Sequence, residues 1–128
     1  MRSRKVIAVG TLGLALAALV ATLGLRYYLA HRQLSFDRPR WLAASHGYCS
    51  KSERGRMVND LVQNRLRPGM PLRRLRRLLG PPDYRSGGLS GSWDYNVDQE
   101  DGLMAICVSL VLHTNAGRLQ HAEVYRDY

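Results

Sequence analysis

Few side chains of this 128-residue chain stand where they could do chemistry. Cys49 and Cys107 are its only thiols. Cys107 sits in an apolar run between Ile106 and Val108, and no spacing places a His–Asp pair against it, so an activated nucleophile is not indicated. In an oxidising compartment the two thiols could form a disulfide; two separate buried thiols are the alternative. His113 and His121 flank a turn, and His121 and Glu123 would share one face of a strand. Neither HExxH nor Cys-x-x-Cys zinc spacing is present, and solvent-facing strand residues are the simpler reading. Asp98, Glu100 and Asp101 lack the spacing of an EF-hand and read as a solvated turn. Gly87-Gly88-Leu89-Ser90-Gly91 has the glycines of a phosphate loop without its Lys or its following helix. No catalytic residue, metal or cofactor is expected.

The remaining chemistry is cationic. Arg65, Arg67, Arg73, Arg74, Arg76 and Arg77 place six arginines in thirteen positions. Guanidinium groups bind phosphate and carboxylate in fork geometry. Near a negatively charged membrane each cation contributes on the order of 1 kcal/mol. The cluster is therefore a candidate surface for anionic lipid headgroups or an acidic partner, against the plainer reading of a solvated helix face. Binding of nucleic acid through the same arginines would require a cytoplasmic domain, and no interleaved aromatic residues or binding motif support it. From Gln33 onward 14 Lys+Arg face 10 Asp+Glu, a balance of +4 against +9 for the whole chain, so the charge is a local patch.

These residues need elements to position them. Ser50-Lys51-Ser52-Glu53 has the capping-box pattern, and Met57, Val58, Leu61, Val62 and Leu66 form the apolar stripe of a helix running to about Leu66. Gly55 weakens its first turn by about 1 kcal/mol relative to Ala. Arg67-Pro68-Gly69 breaks the chain. A second helix opens at Pro71, carries Leu72, Leu75, Leu78 and Leu79 on one side and four arginines on the other, and ends at Gly80-Pro81-Pro82. Beyond Asp83 the period changes to two. Trp93, Tyr95 and Val97 mark one strand; Met104, Ile106, Val108, Leu110 and Leu112 mark a second over Leu103–Leu112; Leu119–Tyr125 makes a third. The expectation is an α+β domain, two helices packed on a three-stranded antiparallel meander, with Gly87–Gly91 as a flexible connection before Trp93.

The N-terminus is a different kind of chain. Val6 to Leu25 is 20 uncharged residues, 15 of them Ala, Val, Ile or Leu, flanked by Arg2, Arg4 and Lys5 before and Arg26, Tyr27 and Tyr28 after. Twenty residues at 1.5 Å per residue give about 30 Å, the thickness of a bilayer core. The run is long for a cleaved signal, whose apolar core spans roughly 7–15 residues. The division expected is a basic segment at 1–5, a single-pass anchor at 6–28, a juxtamembrane stalk at 29–48 and the α+β domain at 49–128. Trp41, within that stalk, could rest on the membrane or on the domain. Basic residues next to the membrane favour a cytoplasmic N-terminus with the remainder exported. No Cys precedes Cys49, which rules out lipid attachment just after the apolar run.

Leu66-x-x-Gly69-Met70, then Leu75, then Leu78-Leu79-Gly80-Pro81-Pro82-Asp83, then Trp93-x-Tyr95 and a closing Asn115-x-Gly117, resembles the SmpA/OmlA family, the BamE-type small lipoproteins of outer-membrane β-barrel assembly. The same unit is similar to repeats of the β-lactamase inhibitor proteins. The resemblance spans about 70 residues, Arg56 to Val124. In it Gly69, Met70, Leu75, Leu79, Gly80, Pro81 and Gly117 have fold-defining places, which argues for shape more than for activity. The chain departs from the family in lacking the lipidated Cys, in having Pro71 where a capping Ser or Thr is usual, and in its arginine-rich second helix. The resemblance implies a non-catalytic envelope module that docks on protein or on lipid headgroups.

The leading expectation is thus an inner-membrane-anchored, periplasm-facing binding module of a bacterial envelope. Its candidate surfaces are the six arginines and a partner surface around Tyr84, Trp93 and Tyr95. A secreted inhibitor-like protein freed by signal cleavage is the alternative, and a cytoplasmic nucleic-acid binder on a membrane tether the second alternative.

Overall fold

The structure, a computed structural model, describes residues 2–44 and 46–128, with side chains from Gly10 onward; Arg2, Arg4 and Lys5 therefore lie outside the described side chains. The chain divides into two units, residues 1–32 and 33–128. The first is helix α1, Arg2–His31. Within it Gly10–His31 is long and apolar enough to cross a membrane as an anchor or to serve as a signal sequence, and none of its side chains is buried. The helix closes on polar contacts of its own: the His31 ring stacks on Tyr27, and its Nδ1 lies 2.8 Å from the Tyr27 carbonyl oxygen.

The second unit is α+β. Helix α2 covers Arg38–Ala43, α3 Arg54–Asp60 continued by one π-helical turn over Leu61–Arg65, and α4 Leu72–Leu79. Strands β1 Tyr84–Gly87, β2 Gly91–Glu100, β3 Ile106–Asn115 and β4 Arg118–Asp127 form one antiparallel sheet in sequence order. Alternation puts Trp93, Tyr95, Val97, Val108, Leu110 and Leu112 on the helix-facing side, where they join Met57, Val58, Leu61, Leu66, Met70, Leu75, Leu79 and Leu119 in one core.

Several sequence expectations need correction. The sheet has four strands, because Tyr84–Gly87 folds back on β2 with Tyr84 opposite Asp94 and Gly87 opposite Gly91. This edge strand is exposed along its length, so no apolar alternation announces it. The expected flexible connection is instead a hairpin tip docked on the β3–β4 turn: Gly117 N–H donates to the Leu89 carbonyl (2.8 Å), and Ala116 N–H to Ser90 Oγ (3.0 Å). Strand β3 starts at Ile106, not Leu103, because Glu100 pairs with Ile106 and leaves Leu103 and Met104 exposed in the loop.

The stalk is part of the domain. Trp41 is 0% exposed, its indole N–H donates to the Leu79 carbonyl (3.2 Å), the Phe36 ring lies beside it, and Leu34 and Leu42 pack against the same core. The unit therefore begins at Gln33, since burying an indole outweighs the polar composition around it. Arg54 is 4% exposed beneath that indole, with its guanidinium carbon 4.7 Å from the ring centroid. It donates to the Trp41 carbonyl (3.0 Å) and the Asn96 carbonyl (3.3 Å) and lies 3.7 Å from Asp83. Burial lowers the Arg54 pKa from its ordinary value, and the Asp83 carboxylate opposes that shift.

The expected capping box does not form. Ser50 Oγ donates to the Gly47 carbonyl, and Asp98 of β2 accepts from Ser52 N–H (2.9 Å) at the entry of α3. Gly55 is required there for closeness: a Cβ would stand 2.2 Å from Asp98 Oδ2 and 2.7 Å from Asp98 Cβ. Lys51 pairs with Asp101, and Cys49 Sγ is bonded to Cys107 Sγ with Cα atoms 4.7 Å apart, so the segment ahead of α3 is tied to the β2–β3 end of the sheet.

Candidate functional site

Helix α4 is built as its sequence requires. Pro71 is its N-cap, in extended conformation, and Gly80 ends it at φ +79°, a left-handed angle that favours glycine. Leu75 and Leu79 face the core, while Leu72 and Leu78 are half-buried at its margin. The connector before the helix is pinned to β4: Gly69 N–H donates to the Leu119 carbonyl (2.6 Å), Leu119 N–H to the Met70 carbonyl (2.8 Å), and Leu72 N–H to the Gly117 carbonyl (3.1 Å). Gly69, Met70 and Gly117, distant in the chain, are thereby brought to one place.

Between this connector, α4 and the β1–β2 hairpin lies an open groove of about 1090 Å³. Its apolar lining is Met70, Pro71, Leu72, Leu78 and Leu89, and its cations are Arg38, Arg65, Arg73, Arg74 and Arg77. Among the described residues no carboxylate lines it. Arg65 lies 3.8 Å from Asp60. Arg38 Nε donates to the Arg77 carbonyl (2.7 Å), which ties α2 to the end of α4 and holds this cation at the rim. Among the described residues, Arg38, Arg73, Arg74 and Arg77 have no carboxylate within 4.0 Å. The groove thus joins an apolar floor to four guanidinium groups that no internal anion neutralises. Guanidinium groups above an apolar floor are able to hold an anion with an apolar portion.

The six expected arginines therefore divide. Arg65, Arg73, Arg74 and Arg77 converge on the groove. Arg67 does not; its guanidinium donates to the Gln63 carbonyl (3.1 Å). Arg76 lines a second, smaller hollow with Pro81, Pro82, Asp83, Tyr84, Arg85 and Trp93. Arg38 was missed, because it precedes Arg65 by a long stretch of chain and only the docking of α2 brings it near.

The expected aromatic partner surface is not a surface. Tyr84 is 64% exposed, but Trp93 is 7% and Tyr95 0% exposed. The Tyr95 hydroxyl donates to the Gly80 carbonyl (2.9 Å), and burial raises the phenol far above its usual range. Both rings are core, as large apolar area on the covered face of a sheet must be.

No protein-family model, curated protein or solved structure matches this chain.

Proposed function

We propose that this protein is a membrane-anchored, non-catalytic binding module of a bacterial cell envelope. Its α+β domain faces the periplasm and holds anionic lipid headgroups in the arginine-rimmed groove. One observation carries the reading: four guanidinium groups without acidic partners surround an apolar floor, which matches a ligand with a negative head and a hydrocarbon tail. The Cys49–Cys107 bond supports the compartment, because such bonds persist where the surroundings are oxidising. The same bond weighs against a cytoplasmic nucleic-acid binder. The apolar helix supports the tether, and the basic residues Arg2, Arg4 and Lys5 support its orientation. Helices ahead of an antiparallel sheet are common to this domain and to the SmpA/OmlA resemblance, although the sheet here has a fourth strand; the resemblance implies docking without catalysis.

The test is co-flotation of a fragment spanning residues 33–128 with vesicles of phosphatidylcholine alone or with added phosphatidylglycerol. Flotation with the anionic vesicles alone is expected, weakened about tenfold or more when Arg73, Arg74 and Arg77 are changed together to Gln. Equal flotation with both vesicle types, or a triple variant that floats like the parent, would reject headgroup binding in the groove.

A further inference from the structure

The face of the sheet turned away from the core carries a second constellation, on β3 and β4. His113 and His121 are direct cross-strand partners, with stacked rings whose centroids are 4.2 Å apart and whose planes differ by 16°. Glu123, two residues beyond His121, lies on the same face, and its Oε1 accepts from His113 Nε2 at 2.7 Å. One ligating atom from each of the three residues lies within 4.8 Å of the others.

From these residues we infer a zinc site: His113, His121 and Glu123 bind one divalent zinc ion through two imidazole nitrogens and a carboxylate oxygen. Two histidines and a glutamate are a ligand set that zinc takes with its fourth position open. Tetrahedral bonds of about 2.0–2.1 Å put ligand atoms about 3.4 Å apart, inside the 4.8 Å spread found here. The backbone is already committed: the register between β3 and β4 shifts between His113 and Thr114, a bulge of the kind that re-aims side chains at functional sites.

The surroundings suit a dication. The same cross-strand rows hold Ser86 and Ser92 beside the histidine pair, and Tyr84, Asp94 and Val111 beside Glu123, with no Lys or Arg among them; Arg118, in the next row opposite Asn115, donates from its guanidinium to the Gly69 carbonyl (2.9 Å). Asp94 adds a second carboxylate to the Glu123 row, and its Oδ1 is buried without a hydrogen-bond partner. The His113 side chain is 34% exposed and that of Glu123 52%, so the fourth position opens to water.

The test uses the untagged full-length chain in neutral detergent, stripped with chelator, and titrated with zinc chloride by calorimetry. One zinc per chain is expected, and His113→Ala, His121→Ala and Glu123→Gln should each weaken binding about tenfold or more. His31→Ala and His46→Ala should leave it unchanged. Cobalt(II) added to the parent should give the visible absorption of a tetrahedral centre, a readout that needs no variant to fold. Absent heat and absent cobalt absorption would overturn the site, as would binding that survives His113→Ala and His121→Ala or is lost equally in His46→Ala.

Discussion

Breaking the bond between Cys49 and Cys107 should unfold the domain at much lower denaturant. The bond closes a loop spanning 58 residues of sequence. In the chain-entropy description a loop of that length removes about 4 kcal/mol of freedom from the unfolded ensemble. A single small domain has only about 5–15 kcal/mol of stability in total, so the loss would be a large share. The bond also acts locally, holding the segment before α3 against Cys107 of β3. The assay is urea unfolding of residues 33–128 followed by circular dichroism, for the parent with and without reductant and for a Cys49→Ser/Cys107→Ser variant. With a slope of about 1–2 kcal/mol per molar urea, the midpoint should fall by about 2 M or more in both the reduced parent and the variant. The variant itself should ignore reductant. A shift below about 1 kcal/mol, or a parent whose midpoint reductant leaves unmoved, would refute the reasoning.

Other consequences follow from single contacts. Trp41→Ala should destabilise the domain by about 3–5 kcal/mol in the same unfolding assay, because a fully buried indole is lost; a change under about 1 kcal/mol would return residues 33–48 to the role of a stalk. Gly55→Ala should destabilise by about 1–3 kcal/mol despite the better helix propensity of Ala, since its methyl would enter the Asp98 side chain. A gain in stability would refute that packing. Hydrogen bonds from Phe36 N–H and Asn64 hold the Asp60 carboxyl below its ordinary value of 3.8. A depressed folded value means a contribution present above the unfolded value and lost as pH falls through the folded one. The stability gap between the parent and Asp60→Asn should therefore narrow as pH drops below 3.8, and a gap that stays constant with pH would contradict it.

The parts of this fold legible in the sequence are those where one residue type repeats with a period. Helix α4 is one: a proline, a leucine stripe and a glycine delimit it, and the structure puts it at Leu72–Leu79. The alternating runs of β2 and β3 are another. What escaped depends on single residues or on distant approach. Trp41 belongs to no periodic pattern, and nothing in its neighbourhood distinguishes an indole bound for a core from one bound for a membrane surface. Strand β1 is held by backbone pairing and has no covered side-chain face. Asp98 reads as a turn residue, yet it closes the entry of α3 from another element. The candidate groove was half visible: local clustering marked Arg65, Arg73, Arg74 and Arg77, whereas Arg38 and the apolar floor of Met70, Leu78 and Leu89 meet only after folding. Tyr95 illustrates the opposite error, since the aromatic that stands out in a strand is the one the core needs.

The compartment of the disulfide-bonded domain decides which anions the groove can meet. The direct measurement is a pair of fusions at Tyr128 in a Gram-negative host, one to alkaline phosphatase, which matures only in the periplasm, and one to a green fluorescent protein, which matures in the cytoplasm. Active phosphatase and a dark fluorescent fusion, both in the membrane fraction, are the results expected. A fluorescent fusion with inactive phosphatase would contradict the account.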